Sequence, residues 1–177
     1  MTVFGNIKSI YRGQKGFSAA EILIAVTIAS IIGGGVVMSI SQVLNTSVQN
    51  SDHTLATKQV RNVIYWVRRD AKMAQTVQVD AGASGLPLML SWSDWDNIQH
   101  EVTYTLVDDK LMRNQVVDGG TPTSLLVAEN INTDPALTNC TYTGGTLSFE
   151  VTVTVGVGSR VINETQEFTV DPRAGPG

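Results

Sequence analysis

Charge is missing over a long stretch near the start of the chain: from Ile22 to Ser51 there is no Asp, Glu, Lys or Arg. Proline and glycine are missing from Val36 to Ala81, so nothing there forces a break in a helix. Cysteine is nearly missing. Cys140 stands alone, which excludes an internal disulfide and suits a small buried hydrophobe better than a nucleophile. Histidine is limited to His53 and His100, neither within an H-E-x-x-H pattern, and no C-x-x-C, G-x-S-x-G or phosphate-cradling glycine loop is present. His53 falls on a polar helical stretch and His100 on a strand edge, and both are expected at the surface. A catalytic constellation is not expected, nor is a cofactor.

Acidic residues are absent from Met1 to Gly16, which carries Lys8, Arg12 and Lys15. That segment holds three of the 12 basic and none of the 16 acidic side chains, so without it the net charge falls from −4 to −7. Such a surface repels phosphate backbones and disfavours general nucleic-acid binding. The strip Arg61, Arg68, Arg69 and Lys72 is better taken as the wet face of a helix.

What fills the uncharged stretch is apolar. Ile22 to Ile40 makes about 28 Å of helix, close to the roughly 30 Å of a hydrocarbon core. Basic residues before it and none just after place the N-terminus in the cytoplasm and the rest outside. No A-x-A-like cleavage site follows the run, as a secretory signal would have. Glu21 is the odd residue, since a carboxylate carried to the bilayer centre costs roughly 2.5 kcal/mol or more. It either snorkels to water at the interface or meets a cation. If the chain is cut after Gly16, the new amine of Phe17 lies one helical turn away and provides one, in the same subunit or a neighbour.

Lys15-Gly16-Phe17-Ser18-Ala19-Ala20-Glu21, leading into an uninterrupted apolar helix, resembles the class III signal of type IV pilins and type II secretion pseudopilins. The resemblance implies that Met1–Gly16 is a leader removed by a prepilin peptidase, with N-methylation at Phe17. Residues 17–43 would form the transmembrane and polymerisation segment, and 44–177 an extracytoplasmic head. Glu21 would pair with the N-terminal amine of an adjacent subunit. The partners implied are other pilin or pseudopilin subunits, the peptidase, a membrane assembly platform and lipid. Two departures stand out. Ser18-Ala19-Ala20 replaces the bulkier residues usual before the glutamate, and Met38 lies where many major pilins carry a proline. Gly33-Gly34-Gly35 sits nearby, as a point of local unwinding or as a surface for close helix packing.

Beyond the apolar run, Leu44, Val48, Leu55, Val60, Val63, Ile64, Val67, Ala71 and Ala74 recur at spacings of three or four. Arg61, Arg68, Arg69, Asp70 and Lys72 fall between them, which predicts an amphipathic helix to about residues 75–77. Period-two alternation then predicts strands at 86–92, 102–106, 111–116, 125–128, 147–155 and 161–170, with a tight turn at Asp108-Asp109. The expected fold is α+β: a long helix packed on an antiparallel sheet of five to seven strands. Arg68-Arg69-Asp70-Ala71, Val102-x-Tyr104-x-Leu106, Leu111-x-Arg113 and Phe168-x-Val170-x-Pro172-Arg173 loosely resemble J-type minor pseudopilins and related minor pilins. That group implies a part in initiating or capping a fibre. The lack of a C-terminal cysteine pair leans the same way.

Asp94, Asp96 and Asn97 offer oxygens of the kind Ca²⁺ takes, but a full site needs six or more and the spacing is not that of an EF-hand. A turn capped by Asx side chains is the preferred account, with no metal bound. Trp92 and Trp95 either form a contact patch or divide between core and rim. A second function class stays open, a signal-anchored binding or adhesin domain that never polymerises and whose head carries a ligand pocket. An anchored hydrolase is the third and has no catalytic set to support it.

Overall fold

The computed structural model describes residues 16–173. The chain divides into two compact units, Met1–Thr46 and Ser47–Gly177. The helix α1, Ala19–Met73, supplies the described helical part of the first and opens the second. It passes through Gly33, Gly34 and Gly35 without interruption, although each costs about 1 kcal/mol relative to alanine. None of the three has a neighbour within 4 Å of where a Cβ would stand.

In the first unit the apolar side chains of α1 are uncovered all round, from Ile22 through Leu44. Three of its hydroxyls turn back on the helix. The hydroxyls of Thr27, Ser30 and Ser39 donate to the carbonyls of Leu23, Val26 and Gly35 at 2.7, 2.8 and 2.9 Å. A hydroxyl satisfied four residues back leaves no donor unpaired in an apolar solvent. Among the described residues this is the one helix long and apolar enough to cross a membrane.

In the second unit α1 becomes one-sided. Ala56, Val60, Val63, Val67, Asp70 and Ala71 are buried, at the three-and-four spacing that puts them on one stripe. Val48 and Leu55, expected on the dry face, are exposed. The covered stripe starts at Ala56. The helix ends at Met73, slightly earlier than expected and with no glycine or proline to stop it. Gln75 instead donates its backbone N–H to the Ser91 carbonyl at 2.9 Å, so sheet pairing captures the chain.

Eight strands follow rather than five to seven, and they form two sheets rather than one. The first is an antiparallel meander of β1 (Thr76–Val79), β2 (Leu88–Ser93), β3 (Gln99–Val107), β4 (Lys110–Val117) and β5 (Thr123–Ala128). The second contains β6 (Asn139–Thr143), β7 (Thr146–Val155) and β8 (Ile162–Val170). The six expected strands are all present. β1 and β6 were not expected, because TVQV is short and half-exposed and NCTYT carries little apolar alternation.

Turn chemistry sets the registers. Val107 faces Lys110 across Asp108-Asp109, with Asp108 at φ 55°. Thr143 faces Thr146 across Gly144-Gly145, both at positive φ, the primed turn that suits strand twist. A bulge opposite Leu111 and Met112 lets the adjacent residues Val127 and Ala128 both face inward. The core joins the helix stripe to Leu88, Leu90, Val102 and Leu111 of the first sheet and Leu147, Phe149, Val151 and Val153 of the second. Each such side chain contributes about 1.5–3 kcal/mol by leaving water.

Candidate functional site

Two places carry chemistry, one in each unit. In the first, Ser18 precedes the helix and Glu21 lies in its first turn. The Ser18 backbone N–H donates to Glu21 Oε2 at 2.9 Å, and the Ala20 N–H donates to Ser18 Oγ at 3.2 Å. This is a capping box, in which serine and glutamate each satisfy a backbone donor that the helix leaves unpaired. Glu21 therefore has a local task of its own, and the helix dipole favours an anion at that end. The S-x-x-E spacing is visible in the sequence, and capping is a third task for Glu21 beside snorkelling to water and pairing with a Phe17 amine in the same subunit or a neighbour. Phe17 is 82% exposed, and Gly16 is exposed with nothing within 4 Å of where a Cβ would stand. Lys8, Arg12 and Lys15 lie outside the described residues.

In the second unit a buried polar cluster ties α1 to the first sheet. Asp70 was expected on the wet face and is instead buried, with its side chain 4% exposed. The Tyr104 hydroxyl donates to Asp70 Oδ2 at 2.6 Å. Arg113 donates through Nε to the same oxygen at 2.6 Å and through Nη2 to Oδ1 at 3.2 Å. Its Nη1 donates to Gln115 Oε1 at 3.0 Å. Tyr104 and Arg113 sit directly opposite each other on β3 and β4. Burial, with the Asp70 charge beside it, pushes the Tyr104 phenol far above its ordinary range, so it remains a donor. Burial by itself pulls the Arg113 guanidinium down, but hydrogen bonding to Asp70 and its charge outweigh this and the net direction is up.

Above this cluster lies an open cleft of about 640 Å³, within the range of ligand pockets. Trp66 forms one wall, with the guanidinium carbons of Arg69 and Arg113 at 5.3 and 5.0 Å from its ring centre. Trp92 forms another, stacked on His100 at 5.1 Å with the rings 8° apart. His100, expected at the surface, is only 16% exposed in its side chain and bonds Asp94 Oδ2 through Nε2 at 2.9 Å. Trp92 is core and Trp95 is 92% exposed, so the two divide as one of the expected alternatives had it.

The Asp94–Asn97 segment is a turn. The Asn97 N–H donates to the Asp94 carbonyl at 3.0 Å, and Asn97 takes φ 63°. The Asp94 carboxylate within the turn is engaged by His100. Among the described residues no group of three or more His, Cys, Asp or Glu is placed to hold a metal. His53 is exposed, with its Nε2 3.8 Å from Glu164. Cys140 is buried and donates to the Gly85 carbonyl at 3.1 Å, and burial pushes its thiol up to about 12.

The signal for the buried cluster was present. Asp70 lies three residues after Val67, in phase with the dry stripe. Tyr104 shares the parity of Val102, and Arg113 that of Leu111. Comparison with protein-family models, with curated proteins and with solved structures returned no match.

Proposed function

We propose that this chain is a minor pilin or pseudopilin subunit, a non-catalytic component that helps to initiate or cap a type IV pilus-like or type II secretion fibre. Its apolar segment 22–40 would cross the membrane with the N-terminus in the cytoplasm and the head outside. Prepilin peptidase would cut between Gly16 and Phe17, and Phe17 would be N-methylated. The observation that carries the proposal is the first turn of α1. A helix whose apolar side chains are uncovered all round from Ile22 to Leu44 begins with one carboxylate, Glu21, one turn from the bond that processing would open. Cleavage would turn the Phe17 amide nitrogen into an ammonium, and in a low-dielectric setting opposite charges attract far more strongly than in water. A neighbour's ammonium would then meet an exposed carboxylate with one oxygen bonded to the Ser18 N–H.

The test is mass spectrometry of the N-terminus of the protein isolated from its host. A chain beginning at Phe17 with an added methyl is expected, and a chain still beginning at Met1, or cut after Ser30, sinks the proposal. As a linked expectation, Glu21→Ala inserts and is processed but does not enter fibres, whereas normal incorporation would remove the charge-pairing step. The cleft beside Trp66 and Trp92 favours a second possibility, a signal-anchored binding domain. It would keep its basic N-terminal segment, and crosslinking in native membranes would recover no fibre.

A further inference from the structure

The cleft of the head and the turn beside it are chemically complementary. The buried carboxylate in the cleft, Asp70, is paired with Arg113, and Asp94 is engaged by His100. Arg69 and Lys72 line the same cleft, are exposed, and have no acidic partner within 4 Å among the described residues. The cleft walls are apolar in part, with Trp66 carrying Arg69 and Arg113 and Trp92 stacked on His100. Arg69 and Lys72 supply two cations without an acidic partner among the described residues, and in a chain that is otherwise net acidic this makes a socket for an anion attached to a flat apolar group.

Such a group stands a few residues away. The β2–β3 turn presents Trp95 almost free of contact, followed by an exposed Asp96. The turn is tied down at its base, where the Asp94 N–H donates to the Ile98 carbonyl at 3.0 Å and Ser93 pairs with Gln99. Trp95 is therefore displayed on a pre-ordered loop, which lowers the entropy lost on docking. The loop does not fill its own cleft: Asp94 at its base is part of the cleft wall, and Trp95 stands outside it, 92% exposed. A knob and a socket side by side on one surface are satisfied together when two copies face each other across a two-fold axis.

We propose that two heads pair reciprocally, with Trp95 and Asp96 of each copy entering the Trp66–Trp92 cleft of the other and Asp96 meeting Arg69 and Lys72. The pairing does not depend on cleavage after Gly16. It can be tested with the full chain in detergent micelles by sedimentation and by co-capture of two differently tagged copies. Wild-type chains should associate. Trp95→Ala should weaken association about thirtyfold, the scale of a buried aromatic anchor. Arg69→Glu and Asp96→Lys should each weaken it about tenfold or more.

Mixing these two charge variants is the decisive arm. In the mixed pair, Glu at 69 of one copy faces Lys at 96 of the other, while the second contact keeps its native Arg69 and Asp96. Association of the mixture should recover to near wild type. A monomeric wild type overturns the proposal. So does association through the apolar helix that ignores Trp95→Ala, and so does a mixture no better than its components. Trp95 is exposed, so near-ultraviolet dichroism of that variant should match wild type apart from the lost chromophore.

Discussion

Replacing Asp70 by alanine isolates the buried polar contact between α1 and the first sheet. The substitution removes the acceptor for three hydrogen bonds, one from Tyr104 and two from Arg113. It also leaves the Arg113 guanidinium without a counter-charge at a place where its side chain is 8% exposed. Burial alone already works against that cation, and in the variant the largest opposing influence, Asp70, is gone. Breaking a buried pair from one side costs about 3–5 kcal/mol, much of it the desolvation of the partner left behind. For a head of this size that corresponds to a fall in Tm of roughly 10–20 °C.

Thermal unfolding of the full chain in detergent, followed by near-ultraviolet dichroism, measures it. Arg113→Met combined with Asp70→Leu removes both charges and keeps similar volumes, so it should recover most of the loss, because an apolar replacement of a buried ion pair is often neutral or better. Tyr104→Phe should cost less, about 1.5–3 kcal/mol, for one hydrogen bond to a charged acceptor. If Asp70→Ala unfolds within a degree or two of wild type, the cluster is not holding the helix. If the double variant is as unstable as the single one, the cost lies in lost shape rather than in the orphaned charge.

Cys140 should resist alkylation in the folded protein at neutral pH and react fully in urea, as read by mass shift. The folded thiol loses its proton only near 12 whereas the ordinary value is 9.0, so its contribution to stability is intact below about pH 9 and is lost as the pH rises toward 12. Gly85→Ala should destabilise by about 2 kcal/mol or more in urea titration, because φ there is +66° and a Cβ would run into the Cys140 carbonyl. Ser18→Ala removes one half of the capping box and should fray the start of α1 by about 1 kcal/mol, seen as faster amide exchange over residues 19–22 with the head unchanged.

Much of the fold was legible because two periods dominate the chain. Leu147, Phe149, Val151 and Val153 alternate without a break, and the helix stripe from Val60 to Ala74 repeats at three and four, so β7 and the docked half of α1 could be read from apolar residues alone. Two of the four edge strands could not. β1 and β6 earn their places through backbone pairing with β2 and β7, a non-local property that leaves no alternation to detect. The same limit applied to polar residues. Asp70, Tyr104 and Arg113 each occupy an inward phase, but a charged or hydroxyl-bearing side chain in that phase looks like an exception until its partner is known. The partner lies 34 or 43 residues away in sequence.

Glu21 presents the opposite case, a residue whose chemical prominence hid a simpler task. A charge at the mouth of an apolar helix invites a search for a distant partner, yet the first donor it satisfies is the N–H of Ser18, three residues back. The two tasks are compatible, since one carboxylate oxygen receives Ser18 and the other has no partner among the described residues. They also separate by experiment. A cap needs only an acceptor, so Glu21→Gln should keep amide protection at the helix start, and a charge pair needs the negative charge, so the same variant should lose assembly. Retention of assembly in Glu21→Gln would leave capping as the whole account of the residue.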